Sequence, residues 1–331
     1  MADGERLGEF DLIARVFVPL AGEGALGLTD DAAFLRPRPG LDLVLTKDAV
    51  VSGVHFFADD AWEAVARKAL RVNLSDLAAK GADPVGYLLA LGLPAAFTVA
   101  DVDGLGAGLA DDQRRYGIAL FGGDTVKADG GLFLSVTAIG EVPQGAMVRR
   151  GGARPGDALV VTGTIGDAAL GLRLRLDGGL ADRLGLKADE RDHLLDRYLL
   201  PQPRTAAAAA VRRHAAGGMD ISDGLVGDFG KMAAASGVAI DIDAGAVPLS
   251  AAARAAIAAD PKLLITALTG GDDYELALAM APAAVAAFTA ECRDKGVAAT
   301  VIGQARAGEG VRVTDGGRPL DGLGTGSYRH F

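Results

Sequence analysis

NLSDLAAKGADP, residues 73–84, opens as a helix and runs into two breakers. Asp76 stands near the middle of a run that is otherwise small or apolar, with Asn73 and Ser75 adding polar groups beside it. Gly81 and Pro84 stop the helix before a strand expected over Gly86–Leu93. Alone, Asp76 reads equally well as solvated surface. Four other short segments repeat its chemistry: LTDDAA (28–33), TKDAV (46–50), GGDT (122–125) and DISDG (220–224). Each sets an Asp within two residues of a Gly, Ser or Thr. Hard oxygen ligands next to glycines, where a backbone can approach phosphate closely, point to a magnesium–phosphate site.

At 331 residues the chain is long enough for two cores. Turn-rich, charged RRGGARPGD (149–157) is the natural boundary, giving domains over 1–150 and 151–331. Half the residues are hydrophobic, yet no apolar run approaches the ~20 residues that span a bilayer, so no membrane association is expected. The start, MADGERLGEF, lacks the apolar core of an export signal, and a cytoplasmic protein is expected. Cys292, the single cysteine, excludes internal disulfides and sits in an amphipathic helix as a packing residue. A net charge of −10 argues against nucleic-acid binding. It leaves anionic small substrates open, because divalent cations reverse the local sign. Four His and one Cys make a zinc site a poor reading.

Along the chain, GEFDLIARVF spaces Phe10, Ile13, Phe17 and Leu20 as one amphipathic helix. LDLVLTKDAVV reads as a strand with Lys47 and Asp48 at its end, and GVHF presents His55 beyond it. Asp60 is placed to cap a helix from Trp62 to Arg71, and Thr98 with Asp101 forms a capping box for the next helix, ending at Tyr116–Gly117. IALF is a buried strand delivering GGDT at its end, followed by the strand LFLSVTAIGEV. The second half reads as strand, glycine turn and helix in ALVVTGTIGDAALGL, more helix through His214, and a short strand and turn in GMDISDG. After a helix at LVGDFGKMAAAS come a loop at Asp243–Pro248, a helix at Ser250–Ala259 and an acidic turn and strand in TGGDDYELALAM. The last part alternates helix and strand, then turns at DGGR (315–318). The fold class is α/β (α+β).

No G-x-x-x-x-G-K-[ST] is present, and no G-x-G-x-x-G follows a strand, so neither the P-loop nor the dinucleotide-binding fold applies. GLGAG (104–108) reads as a close helix contact; GLGTG (322–326) has no following helix. TGTIGDAALG (162–171) is a strand-to-helix turn that could receive a phosphate, although such a turn needs glycines anyway. Acidic doublets are usually solvated turns. Five Asp-bearing turns at strand ends or on an apolar helix are not what that reading predicts, and strand ends are where α/β folds bind ligands.

LTDDAA, TKDAVVSGVHF, NLSDLAAKGADP, FGGDT, RRGGARPGD, MDISDGL and GGDDYEL occur in an order and spacing that resemble the thiamine-monophosphate kinase family, within the aminoimidazole ribonucleotide synthetase superfamily. The resemblance spans Gly8 to Phe331. It implies a two-domain fold, with an amino-terminal sheet forming a homodimer interface and a carboxy-terminal αβ domain. It implies transfer of the γ-phosphoryl of ATP to thiamine monophosphate, with several Mg²⁺ ions. By position, it assigns Asp31, Thr46, Lys47, Asp48, Asp76, Asp124, Asp220 and Asp223 to magnesium, and Tyr116, Gly123, Asp124, Arg150 and Ser222 to ATP. Asp76, Asp124 and Arg150 would carry the catalysis, and His55, Asp272 and Tyr328 would contact the thiamine substrate. A satisfied core position is the bland alternative for His55. Three departures stand out. Lys47 replaces a metal-ligating Thr, where a cation either substitutes for an ion or touches phosphate; Asp272 replaces a Glu; and Thr29 replaces a Gly before Asp30–Asp31.

The chemistry agrees. A phosphate monoester has a second pKa near ~6, so the acceptor is already a dianion at neutral pH and needs no general base. At ~4 Å and an effective dielectric near 20, each pair of unit charges repels by roughly 4 kcal/mol. Neutralisation and positioning dominate such a transfer, and no phosphoenzyme is expected. The central expectation is that Asp48, Asp76, Asp124 and Asp220 converge. The competing readings are another phosphate-activating enzyme of the superfamily, which in two cases would require a reactive Cys near one terminus, and a nucleotide sensor without turnover.

Overall fold

The computed structural model describes residues 8–324 and 326–327. The chain forms two compact units, one from residues 1–77 and 83–145, the other from 78–82 and 146–331. The division thus falls at Gly145/Ala146, a few residues before the expected boundary, and the second unit also takes the segment that follows the NLSD helix.

In the first unit, α1 (Glu9–Leu12) runs into a π turn at Ile13–Phe17 and a 3₁₀ turn at Val18–Leu20. The single helix expected here is therefore broken. The wider π turn shifts the apolar stripe, so Leu12, Val16, Phe17 and Leu20 are buried while Phe10 is 83 % exposed. There follow β1 (Leu41–Val51), α2 (Trp62–Ala79), β2 (Asp83–Pro94), α3 (Val99–Tyr116), β3 (Ala119–Ala128) and β4 (Phe133–Pro143). The sheet order is β1-β4-β2-β3, with only β2 and β3 parallel.

Lys47 and Asp48 lie inside β1, paired with Thr137 and Val136, and GGDT lies inside β3. A bulge lets Leu120 and Gly122 pair with successive residues Tyr87 and Leu88, so Phe121 is extra and the strand continues through the glycines. Helix α2 carries Trp62 to Ala79 without a break, joining the helix read at Trp62–Arg71 to the one read in NLSD. Asp60 accepts from Phe57 N at 2.8 Å in the turn ahead of this helix.

One face of this sheet is buried. Tyr87, Leu89 and Leu91 of β2 and Leu134, Val136 and Ala138 of β4 are at most 3 % exposed. Helices α2 and α3 cover it: Gln113 of α3 donates to the Tyr87 hydroxyl at 3.1 Å, and Thr46 of β1 donates to Asp76 of α2. The helices approach closely because a Cβ at Gly108 would overlap the Glu63 carbonyl, the contact expected of GLGAG. Between them Arg71 grips Asp112 through two bonds of 2.7 and 2.9 Å, both side chains almost fully buried. The Thr98–Asp101 capping box opens α3 and Gly117, in the left-handed conformation, closes it. The other face is open, with Leu45 65 % and Leu88 41 % exposed.

The second unit contains β5 (Ala158–Thr162), α4 (Asp167–Leu176), α5 (Leu180–Leu184), α6 (Ala188–Leu199), α7 (Ala208–His214), β6 (Gly217–Ile221), α8 (Leu225–Ser236) and β7 (Ala239–Asp243). These lead to α9 (Ala251–Ala259), α10 (Leu263–Thr269), β8 (Glu275–Met280), α11 (Val285–Asp294), β9 (Ala299–Arg306), β10 (Gly310–Asp315) and β11 (Arg318–Pro319). The sheet order is β11-β10-β7-β9-β5-β8-β6. The DGGR turn joins β10 to β11, with Asp315 opposite Arg318. Strand β7 was missed by the sequence reading, and the helix expected through His214 is interrupted between Leu199 and Ala208, where Pro201 and Pro203 each lack an N–H.

Both faces of this sheet are covered. Leu159, Val161, Ala277 and Ala279 pack with Leu225, Phe229 and Met232 of α8. Their neighbours Val160, Leu276 and Leu278 pack with Val211 of α7, Phe288 and Cys292 of α11, and Ala78 and Ala79. Period-two alternation therefore divides each strand between two cores, which is why ALVVT and ELALAM read as unbroken apolar runs.

Candidate active site

In the first unit the acidic segments meet at the sheet. Leu26, Gly27 and Leu28 all have positive φ (54°, 67° and 57°), and this turn sends Thr29, Asp30 and Asp31 back toward the strands. Leu holds that conformation at a steric cost, so the surrounding packing must fix it. Asp30 and Asp31 line a cavity of about 730 Å³ together with Lys47, Gly122, Gly123, Asp124 and Thr125. At Gly123 a Cβ would overlap the Leu89 carbonyl oxygen, so glycine is required there, and the backbone lies bare to the cavity.

One residue either side of Lys47, the chain turns to α2 instead. The Thr46 hydroxyl donates to the half-buried Asp76 carboxylate, and Asp48 N donates to Asn73 Oδ1 at 3.0 Å. Asn73 is held by its own bond to Ala69 O at 3.0 Å. So NLSD clamps the outer edge of β1, an edge strand that would otherwise offer unpaired backbone groups. His55 Nδ1 accepts from Val51 N at 3.1 Å, which places the proton of the neutral ring on Nε2, and Lys68 Nζ holds the His55 carbonyl at 2.8 Å. The Tyr116 ring lies 5.8 Å from the Arg71 guanidinium carbon and 5.3 Å from that of Arg115.

In the second unit two loops interlock. Asp272 N donates to Ser222 O at 2.9 Å and Tyr274 N donates to Ile221 O at 2.8 Å. Asp272 and Tyr274 have φ of 73° and 51°, and a Cβ at Gly271 would overlap the Ser222 carbonyl. Asp220, Ser222, Asp223 and Asp272 are thereby collected where β6 ends and β8 begins. Arg150 is exposed, and its neighbour Arg149 accepts from Gly218 N at 3.0 Å, near the start of β6. At ~3.3 Å per residue the backbone there is roughly 13 Å from Ser222.

Two organising residues escaped the sequence reading. Asp228 is fully buried and accepts from Ser222 N at 3.0 Å and Asp223 N at 2.9 Å, so it shapes the DISDG turn. Burial pushes its carboxyl above the usual range, opposed by Lys231 Nζ at 2.7 Å, which also pairs with Asp223. Burial lowers the Lys231 pKa, but the two carboxylates outweigh it and hold the ammonium above its ordinary value. The signal was an Asp in the first turn of α8, a position that favours acids for their own helix. The second organiser is Asp273, which accepts from Gly166 N at 2.7 Å and Ala168 N at 3.3 Å. These are the N–H groups that a phosphate in the TGTIGD turn would need, so that turn serves an internal carboxylate. Burial raises the Asp273 carboxyl well above its ordinary value, and nearby Asp167 adds to the shift.

The structure therefore gathers Asp31, Lys47, Gly123 and Asp124 on one cavity wall, joins Thr46 to Asp76 beside Asp48, and separately collects Asp220, Ser222, Asp223 and Asp272. Among the described residues no group of three or more His, Cys, Asp or Glu side chains forms a ready metal cluster. The donor chemistry still suits magnesium: Asp30, Asp31, Asp124 and Thr125 bring only oxygens to the cavity. Mg²⁺ keeps several waters and takes one or two carboxylates plus phosphate oxygens, so it does not need a closed protein cage. Tyr328 lies outside the described residues. Cys292 is buried in α11, its thiol pushed up to about 11 mainly by burial, which makes it inert.

This pair of αβ units, with acidic turns feeding a half-open sheet, defines an aminoimidazole ribonucleotide synthetase-type protein. Residues 29–142 match the AIR synthase related protein N-terminal domain and residues 154–316 its C-terminal domain. The thiamine-monophosphate kinase of Caulobacter vibrioides is 46% identical over 317 residues, 94% of this chain and 88% of that one. That of Escherichia coli K12 is 38% identical over 98% of both chains. Among solved structures, thiamine-monophosphate kinase from Stenotrophomonas maltophilia K279a superposes with a TM-score of 0.83 at 40% identity, covering 95% of this chain and 98% of that one. AaThiL complexed with AMPPCP and TMP gives 0.76 at 31% identity over 100% of both. The chain belongs to the thiamine-monophosphate kinase family.

Proposed function

We propose that this chain transfers the γ-phosphoryl of ATP to thiamine monophosphate, forming thiamine diphosphate and ADP. The observation that carries the reading is full-length likeness to a relative complexed with AMPPCP and TMP. AMPPCP keeps the triphosphate geometry with a carbon bridge, so it stands for ATP before transfer.

The chain's own residues fit this task. The turn at Thr29–Asp31 and Asp124 bring carboxylates to one wall, and the bare backbone at Gly123 lets a phosphate approach closely. Asp31, Thr46, Asp48, Asp76, Asp124, Asp220 and Asp223 would hold Mg²⁺. Bound there, such ions would supply positive charge to offset that of the phosphate oxygens. Tyr116, Gly123, Arg150 and Ser222 bind the nucleotide, Arg150 by a fork matched to phosphate. His55 and Asp272 hold the thiamine substrate, His55 offering its Nε2 proton. No residue need take a proton from an acceptor that is already a dianion. Transfer is in line, and trapping a phosphorylated protein during turnover would refute it.

The open face of the first sheet, with Leu45 and Leu88 exposed, supports a homodimer built on that face. Net charge −10 and a single buried cysteine suit a cytoplasmic protein without nucleic-acid partners. Among the described residues no helix is long and apolar enough to cross a membrane. Incubation with ATP, Mg²⁺ and thiamine monophosphate tests the reading by the appearance of thiamine diphosphate. Bound ATP without product would identify a sensor.

A further inference from the structure

Lys47 occupies an unusual position. Of the charged residues lining the first-unit cavity, Glu9, Asp30, Asp31 and Asp124 are acidic and Lys47 alone is basic. Surrounded by that chemistry, an ammonium would ordinarily close onto a carboxylate. Instead, among the described residues, its single hydrogen-bond partner is the Thr137 hydroxyl, at 3.4 Å. Thr137 lies directly opposite it across β1 and β4, so the contact follows from register and is a long one. Two of its three N–H donors remain for a ligand, on an exposed side chain at the cavity wall.

The strand explains the separation. Thr46 turns its hydroxyl to Asp76 on the helix side, and Lys47, next along the chain, faces the other way. An ammonium has no lone pair and cannot ligate a metal ion. What it can do is meet an anion, as a compact charge on a flexible stem. We infer that Lys47 contacts a phosphate oxygen of a bound substrate, as a positive group built into the chain beside carboxylates that take divalent ions. The inference rests on the kinase reading and adds to it a residue that selects for the phosphorylated form of a ligand. Either the triphosphate of ATP or the phosphate of thiamine monophosphate supplies the same chemistry.

The test uses full-length wild-type protein, K47M and K47R at saturating Mg²⁺. Calorimetry measures the affinities of AMPPCP and thiamine monophosphate, and of adenosine and thiamine as counterparts without phosphate. K47M keeps the length of the side chain and removes its charge. It is expected to lose about ten- to hundredfold affinity for one phosphorylated ligand, the cost of one charge-assisted hydrogen bond. Its affinity for the matching unphosphorylated compound stays unchanged, and K47R recovers most of the loss. The ligand affected identifies which phosphate Lys47 meets. Because the readout is a ratio of affinities, a smaller folded fraction in one variant cancels. An unchanged ratio for both pairs, or equal loss with and without phosphate, would overturn the inference while leaving the kinase reading intact. Wild-type protein that bound neither phosphorylated ligand would bring down both.

Discussion

The two sheets handle their faces differently. The seven-stranded sheet of the second unit is buried on both sides, and its strands alternate between two apolar cores. The four-stranded sheet of the first unit buries one side under α2 and α3 and leaves the other to a cavity lined with carboxylates, bare glycine backbone and one lysine. In the second unit the polar chemistry is pushed to the loops at one sheet end, where Asp228 and Asp273 tie the turns down. In the first, Lys47 and Asp124 stand on the strands themselves, with Asp30 and Asp31 on a turn beside them. Strand-borne groups are rigid and need no organising carboxylates, while loop-borne ones require them.

The contrast is sharpest in a substitution that touches chemistry alone. Asp124→Asn removes a cavity charge from an exposed strand position. It is expected to lower kcat/KM by roughly 10²–10³-fold with little change in thermal midpoint, measured by product formation and calorimetry side by side. Removing divalent cations with a chelator should abolish turnover in the wild type and leave both units folded.

Stability substitutions come next. Asp112→Ala removes the carboxylate that grips Arg71 between α2 and α3, where both partners are about 1 % exposed. A loss of ~3–5 kcal/mol is expected in chemical denaturation. Leu278→Ala, at a position that is 0 % exposed, should cost ~2–5 kcal/mol. By contrast Leu45→Ala, 65 % exposed on the open face of the single subunit, should fall within ~0.5 kcal/mol when measured on dissociated subunits. Equal costs at Leu278 and Leu45 would erase the distinction between the sheets.

The smallest effect concerns pH. The Asp273 carboxyl is raised above its ordinary value near 3.8, so the folded state holds a proton that the unfolded chain has released. Its contribution is complete below the ordinary value and is lost as pH rises through the raised one. Asp273→Asn keeps an oxygen for the Gly166 and Ala168 N–H groups and removes that titration. The thermal midpoint of the variant relative to wild type should therefore climb as pH is raised from acid toward neutrality.

Local signals were legible in the residues. The Thr98–Asp101 cap, the DGGR turn, the glycine contact in GLGAG and the helix through NLSD all depend on neighbours within a few positions. What escaped was set at a distance. Arg71 finds Asp112 41 residues away, and Asp273 reaches the turn at Gly166 across 107. The bulge at Phe121, which keeps GGDT within β3, depends on pairing with β2 and leaves no mark in the local pattern. The short strand AIDID hid between a helix and a loop because its alternating acids resemble a surface turn.

Phosphorus NMR of the wild-type protein with ATP, Mg²⁺ and thiamine monophosphate asks most directly what the paired units are for. The account predicts that the monoester signal of the thiamine compound is replaced by a diphosphate pair, one for each ADP formed. ADP appearing with inorganic phosphate while the monoester persists, or ATP left intact, would contradict it.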